Sequence, residues 1–176
     1  NSSKLTSVTI PSSVTSIGSD VFAASDPSSD YDGCVSLTTV TVKATTPPTL
    51  SGSAFPTSNA GFKVYVPYGT LTDYQNAARW KLPTLKARLA EAYVVDDKPT
   101  THGTVAMSKD CFPSDTYTTA NETVTVTVTP DEGYQLKSLK YNDGTDHDIT
   151  SAKSFTMPLK NVTVTAEFEA APTTYA

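Results

Sequence analysis

The chain has 176 residues, of which 38% are hydrophobic and only 18% charged, and its formal net charge is −5. This acidic balance excludes nucleic acid as the main partner, because phosphate binding needs a concentrated basic face. No apolar stretch approaches the ~20 residues of a membrane span. The two cysteines, Cys34 and Cys111, are too few for a disulfide scaffold and are expected as separate free thiols. Many threonines with few charges favour β-strands, since β-branched side chains pack well on pleated surfaces.

A short segment near the start of the chain is repeated. Leu5-Thr-Ser-Val-Thr-Ile10 recurs as Leu37-Thr-Thr-Val-Thr-Val42, and a third, shorter strand runs from Phe62 to Val66. Two pairs of apolar residues that follow these copies are also thirty-three positions apart: Ile17 with Leu50, and Phe22 with Phe55. A single repeat cannot bury its own apolar side chains, so neighbouring coils must stack. The pattern therefore predicts a solenoid, with the polar residues 24–33 as a surface loop.

Residues 70–80 predict a helix that closes this stack. Leu71, Tyr74 and Ala78 fall on one helical face, and Pro83 ends the helix because proline lacks the amide donor. No comparable cap precedes the first repeat, so we expect further repeats upstream in the parent protein. The uncapped N-terminal edge also predicts weak self-association.

The repeat pattern, over residues 4–81, resembles the BspA-type leucine-rich repeat of bacterial surface proteins. In that family Leu-x-x-Val-x-Ile-Pro strands precede an Ile-Gly pair and a phenylalanine, and Cys-x-Ser-Leu opens the next coil. Ile17-Gly18, Phe22 and Cys34-Val-Ser-Leu37 stand at these places, whereas the long insertion and Lys43 depart from the pattern. The resemblance implies a leucine-rich-repeat solenoid in which Cys34 is a small buried core residue.

From Tyr93 onward apolar residues alternate with threonine, which indicates strands with one buried face. Five stretches predict strands, the first two most strongly: 123–129, 162–168, 93–96, 103–107 and 136–141. A compact antiparallel domain of five or six strands fits this pattern.

The second half of the chain contains three motifs: His102-Gly-Thr-Val, Pro130-Asp-Glu-Gly-Tyr134 and Phe155-Thr-Met-Pro158. Together with the strand that follows, they resemble the divergent repeats related to the internalin B-type B-repeat, over residues 93–169. The resemblance implies a stalk or spacer module of extracellular bacterial proteins. It brings no catalytic residues with it.

The usual catalytic signatures are absent from the sequence. His102 precedes a glycine, which favours a role in a turn. His147 lies among Asp143, Asp146 and Asp148 in a predicted hairpin tip, where solvated turn residues explain the cluster better than a metal site does.

The insertion carries Asp26, Asp30 and Asp32, which faintly resembles a calcium loop. Calcium takes six to eight oxygen ligands, usually with a carboxylate that closes the loop, but the next acid is Asp73. We therefore favour a plain surface loop, and we predict no metal and no cofactor.

Aromatic side chains are the remaining candidates for ligand binding: Tyr31, Tyr65, Tyr68 and Trp80. Exposed aromatic faces stack on sugar rings or dock a protein partner. Tyr74 and Trp80 also fit a structural role in the cap, which we favour for them.

We predict a mostly β protein with a little α. Residues 1–90 are expected to form a short leucine-rich-repeat solenoid with a helical C-terminal cap, residues 91–170 a small all-β repeat domain, and residues 171–176 a tail.

The predicted function is binding or adhesion without catalysis, in a cell-surface or secreted bacterial protein. The solenoid would be the recognition surface for a protein or glycan on a host, a matrix or a neighbouring cell, and the β domain the spacer. Two alternatives stay open: a carbohydrate-binding accessory module that uses exposed aromatics, and a hydrolase whose carboxylates come together only in the fold.

Overall fold

The computed structural model describes residues 4–22, 34–108 and 117–172. It is mostly β with two short helices, and the chain divides into two compact units, residues 1–92 and 93–176. The elements of the first unit are β1 (Ser7–Ile10), β2 (Ser16–Ile17), β3 (Thr39–Val42), β4 (Thr49–Leu50), β5 (Lys63–Pro67), α1 (Leu71–Asn76), α2 (Pro83–Lys86) and the start of β6 (Leu89–Asp97). That each predicted domain, 1–90 and 91–170, folds by itself stays a prediction.

Strands β1, β3, β5 and the first half of β6 pair in parallel in the first unit. Their register places four apolar side chains opposite one another, which we call the inner row: Val8, Val40, Val64 and Leu89. Val40 and Val64 have no exposed surface. Because side chains alternate between the two faces of a strand, the inner row lines the core of the unit.

The two repeated segments are neighbours in space at corresponding positions. Ile17 and Leu50 are partners in the parallel pair β2–β4. The rings of Phe22 and Phe55 stack with centroids 5.8 Å apart and an interplanar angle of 10°. The correspondence predicted at a spacing of thirty-three residues is therefore confirmed at these two pairs.

Helix α1 is shorter than predicted. It ends at Asn76 because Ala77 is extended, with ψ 148°, and Arg79 adopts the left-handed region, with φ 64°. Ala77, and not the predicted Ala78, packs against the core. This turn carries Trp80 into the interior, where its ring meets Tyr74 edge-on at 4.9 Å.

Two buried hydrogen bonds attach the segment after β3 to these aromatic residues. The Tyr74 hydroxyl donates to the carbonyl oxygen of Ala44 at 2.7 Å, and the Trp80 indole Nε1 donates to the carbonyl oxygen of Pro48 at 2.7 Å. Both aromatic side chains are completely buried. The rings thus contribute large apolar area, while their polar atoms satisfy carbonyl groups that cannot reach water.

Cys34 is a buried free cysteine, with only 5% of its surface exposed, in the core of the first unit. The predicted core position of Cys34 is confirmed. Cys111 lies outside the described residues.

The second unit contains the end of β6 and seven further strands among the described residues: β7 (Gly103–Met107), β8 (Tyr117–Thr118), β9 (Thr123–Pro130), β10 (Tyr134–Asn142), β11 (Asp146–Asp148), β12 (Ser154–Thr156) and β13 (Val162–Ala170). Antiparallel pairs join β10 with β13 and β11, β6 with β8, and β9 with β7 and β12. The predicted antiparallel domain needs one correction, because β13 pairs with the end of β6 in parallel. These two strands are far apart in sequence, so no hairpin connection forces them to run in opposite directions.

The core of the second unit follows the predicted alternation. Val124 and Val126 of β9 and Val162 and Val164 of β13 are each at most 2% exposed. Thr125, between the two valines of β9, is exposed, and Thr163, between the two valines of β13, is half-buried. One face of each strand is therefore buried, as the sequence pattern predicts.

We expect Tyr74→Phe to lower the free energy of unfolding by ~1–3 kcal/mol, because the carbonyl of Ala44 would lose its donor in a buried place. Burial also raises the pKa of the Tyr74 phenol above its ordinary value of 10.0. The folded state thus holds this proton more tightly, and the stability that it contributes is present below pH 10 and lost as the pH rises further. Denaturant unfolding at pH 7 and between pH 9 and 11 measures both effects, and the variant should lose less stability over the alkaline range. Tyr134→Phe is the control, expected to change stability by less than ~0.5 kcal/mol. Equal stability of Tyr74→Phe and the unmodified protein would contradict the assignment.

Cys34 should react slowly with a thiol reagent in the folded protein, because a buried thiol is inaccessible to the reagent. Labelling is best followed in a Cys111→Ser background with absorbance detection, and denaturant should restore the fast rate. Rapid labelling without denaturant would show that the core around Cys34 opens.

Candidate ligand-binding surface

The face of the parallel sheet opposite the inner row carries polar and aromatic side chains. We call it the outer face, and its central row in register is Thr9, Thr41, Tyr65 and Ala90. A second row on the same face consists of Ser7, Thr39 and Lys63. Thr41 is only 1% exposed, whereas Tyr65 is half-buried. The predicted site residue Tyr65 therefore lies on a regular sheet surface of the first unit.

Tyr68 follows β5 directly and is 42% exposed. Two hydrogen bonds stabilise the turn that follows Tyr68. The Gly69 amide donates to Oε1 of Glu91 at 3.0 Å, and the Thr70 hydroxyl donates to the carbonyl of Pro67 at 2.7 Å. Gly69 has a φ of 83°, a backbone conformation that favours glycine. Tyr68 is thus an exposed aromatic side chain on a fixed turn.

Trp80 is not available to a ligand. Its side chain has no exposed surface, packs 5.6 Å from Phe55, and gives its only donor to Pro48. Its predicted role in ligand binding needs correction, because a buried indole presents no face to solvent. Tyr31 lies outside the described residues. Tyr65 and Tyr68 are the predicted site residues that the structure leaves as candidates among those it describes.

A cleft that the sequence did not indicate lies beside the β3–β4 connection. Its volume is about 240 Å³, and it is lined by Ser12, Val14, Thr15 and residues 43–48. The consecutive threonines and prolines at 45–48 signal a turn, but no sequence pattern signals the concavity. The volume lies below the ~300–1,000 Å³ of typical small-molecule sites.

The acidic cluster around His147 is an internally bonded hairpin tip. Asp143 Oδ1 lies 3.1 Å from His147 Nε2 and also accepts from the Thr145 amide at 3.3 Å. The His147 ring stacks on Tyr141 with centroids 4.5 Å apart, and Lys160 Nζ donates to the backbone carbonyl of Asp143 at 3.2 Å. These contacts are those of a tightly folded turn.

Electrostatics in this turn follow the same contacts. The hydrogen bond from His147 is the main reason that the pKa of the Asp143 carboxyl lies below its ordinary value. The pKa of Asp148 is lowered mainly by the backbone amide of Thr150 and then by its hydroxyl. Each carboxylate is therefore stabilised by a donor from the chain itself.

The candidate metal ligands do not converge. Asp146 accepts from Asn142 Nδ2 at 2.6 Å and lies 3.8 Å from Lys140 Nζ, while Asp148 accepts from the Thr150 amide. Within residues 4–22, 34–108 and 117–172, no group of three His, Cys, Asp or Glu side chains could hold a metal ion. The insertion residues Asp26, Asp30 and Asp32, for which a plain surface loop was predicted, lie outside these ranges.

The motifs of the second half have structural roles. His102 occupies a turn with φ 69° and its ring stacks on Tyr134 at 3.9 Å. Gly103 is required because the Phe168 ring approaches so closely that a Cβ would lie 2.4 Å from it. Phe155 and Met157 are 7% and 1% exposed in the core. The turn role predicted for His102 is confirmed.

His147→Gln should raise the pKa of Asp143 towards its ordinary value, because the variant removes both the ring hydrogen bond and the nearby charge. Carboxyl ¹³C chemical shifts recorded from pH 2 to 6 measure this change directly. Asp148 is the internal control, since its donors are on Thr150, and its pKa should not move. An unchanged Asp143 would show that the His147 contact is absent in solution.

Residues 93–172 match the family model described as the Divergent InlB B-repeat domain. The match leaves residues 1–92 outside it, and no curated protein and no solved structure shows a significant match to the chain. Among the residues that the structure describes, no helix is long and apolar enough to cross a membrane. B-repeats are a non-catalytic domain family typical of bacterial surface proteins. The resemblance predicted for residues 93–169 is confirmed by this match to the divergent InlB B-repeat model over residues 93–172.

Proposed function

We propose that residues 1–92 form a short leucine-rich-repeat stack of the BspA type that binds a protein ligand outside the cell. Residues 93–172 then serve as the spacer that holds this stack away from its attachment point. The chain would act by binding alone, without a catalytic step and without a cofactor.

The packing of the first unit supports the stack. Parallel pairing of β1, β3 and β5 aligns equivalent residues of successive segments, such as Val8 and Val40. In a solenoid each coil buries the apolar side of its neighbour, and the inner row has this arrangement. Tyr74 and Trp80 close one end with buried rings, as a terminal cap must.

The observation that carries the proposal is the outer face. Parallel strands present regular rows of side chains there, and the half-buried Tyr65 adds aromatic surface to neighbours that are mostly threonine and serine. Tyr68, which is 42% exposed, lies in the turn that follows β5. Tyrosine on a rigid scaffold is a frequent anchor in protein interfaces, because it offers large area at low entropic cost. Lys63 places a positive charge in the adjacent row of the same face.

A protein ligand fits this surface better than a sugar or a small molecule. The burial of Trp80 and Tyr74 removes the large aromatic platforms that the carbohydrate-binding alternative needs. The cleft of about 240 Å³ is small for a drug-sized ligand. Thr41 is covered, and the accessible part of the outer face, with Thr39, Lys63 and Tyr65, is suited to a flat protein partner.

The second unit suits a spacer. Its family is non-catalytic, and its signature residues are used for folding: Gly103 admits the Phe168 ring, and Phe155 and Met157 fill the core. Membership in a family typical of bacterial surface proteins also supports an extracellular location for the whole chain.

The test is to immobilise the unmodified 176-residue protein and screen it against host extracellular-matrix proteins and, in parallel, a glycan array. For any protein ligand found, Tyr68→Ala should weaken binding at least ~10-fold, the effect of losing an aromatic anchor. Leu159→Ala is the matched control, since Leu159 is a 67% exposed apolar residue on the second unit.

Three outcomes would overturn the proposal. One is binding of glycans alone, which would establish the carbohydrate alternative. The second is a protein ligand whose affinity falls with Leu159→Ala but not with Tyr68→Ala or Tyr65→Ala. The third is no binding in either screen. Circular dichroism of each variant excludes loss of folding as the cause.

A further inference from the structure

A small groove in the first unit is separate from the outer face and shares no residue with it. Its volume is about 80 Å³, which leaves room for one side chain of a partner and is far below that of a typical small-molecule site. Phe55 and Leu85, both buried, are part of its apolar floor. Ser53, Thr84 and Arg79 are exposed and line its rim. The groove therefore combines an apolar base with hydroxyl groups and one guanidinium.

Arg79 carries the charge of this groove in a strained backbone conformation. Its φ is 64°, in the left-handed region that bulky side chains seldom adopt. In the part of the chain that the structure describes, its guanidinium has no carboxylate partner. An exposed guanidinium without a counter-ion presents a planar fork of donors that fits a carboxylate.

The segment around Arg79 is basic as a whole. Residues 74–90 contain no Asp or Glu and four cations, which are Arg79, Lys81, Lys86 and Arg88. The Arg88 guanidinium lies beside the groove, since its Nη2 is 3.5 Å from the carbonyl oxygen of Thr57, a lining residue, and its Nη1 donates to the carbonyl of Ala60. Both contacts are to neutral carbonyls, so neither compensates the positive charge.

We propose that this groove binds an acidic segment of a partner protein, with one Asp or Glu side chain of that segment paired with Arg79. The hydroxyls of Ser53 and Thr84 line the same groove and supply further donors for the carboxylate. Leu82, which also lines the groove and is 49% exposed, offers contact to an apolar neighbour on the segment. Charge complementarity selects an acidic partner here. This site does not depend on the outer face or on the binding proposed there.

Two substitutions of Arg79 separate binding from folding. Arg79→Gln removes the charge and keeps a bulky side chain at a positive φ. Arg79→Gly also removes the charge, but glycine adopts this φ without strain, so the variant should be at least as stable as the unmodified protein. Lys4→Gln is the matched control, because Lys4 is an exposed cation of the same unit that does not line the groove.

Fluorescence anisotropy of the whole 176-residue protein with a short labelled peptide of alternating glutamate and leucine tests the proposal. The unmodified protein and Lys4→Gln should bind this peptide with dissociation constants within ~2-fold of each other, and both Arg79 variants at least ~10-fold more weakly. The same peptide with glutamine in place of glutamate should bind the unmodified protein at least ~10-fold more weakly. Raising the salt from about 0.05 to about 0.5 M should weaken binding of the glutamate peptide, because salt screens exposed charges.

Three results would overturn the proposal. The first is no binding of the glutamate peptide to the unmodified protein at concentrations up to about 1 mM. The second is an Arg79→Gly variant that binds this peptide as tightly as the unmodified protein does. The third is equal weakening by Lys4→Gln and Arg79→Gln, with inorganic polyphosphate bound as well as the peptide, which would show a general attraction of polyanions. Denaturant unfolding of each variant identifies any loss of folding, and the expected stability of Arg79→Gly keeps the test decisive.

Discussion

The first unit depends on one constraint: the apolar side chains of its parallel strands must lie next to one another on the same face, so that together they form one core. The register that joins Val8, Val40, Val64 and Leu89 satisfies this constraint. A shift by one residue would turn every inward side chain to solvent, so the threonines and Tyr65 of the outer face are fixed by the same register. The surface proposed for binding is therefore a consequence of how the core is filled.

Aromatic residues cover part of the core of the first unit. Tyr74 and Trp80 follow β5, cover its core, and reach back to the carbonyls of Ala44 and Pro48. The two hydrogen bonds join residues that are about thirty positions apart. They attach the segment between β3 and β4 to the closing segment. Trp80, which the sequence also offered as a candidate for ligand binding, thus holds the fold together with Tyr74, because a buried polar ring needs a partner inside the protein.

The second unit shows why a family signature need not mark an active site. Its Gly-Tyr and Phe-Thr-Met-Pro motifs are explained by a left-handed glycine, the His102–Tyr134 stack and buried core side chains. The Asp143–His147 pair likewise closes a hairpin. These motifs therefore maintain the shape of the second unit.

By itself the sequence determined the β-rich class, the alternation of buried valines with more accessible threonines, and the match of residues 93–172 to the B-repeat model. It also determined the correspondence of Ile17 with Leu50 and of Phe22 with Phe55. All of these are written in local periodicity or in repeated motifs, which act over a few residues or between equal segments. Only the tertiary structure decided that helix α1 stops at Asn76, that Trp80 is buried, and that β13 pairs with β6 in parallel. These outcomes follow from contacts between distant residues: the indole enters the core because a carbonyl thirty-two positions away needs its donor, and no local pattern encodes that need.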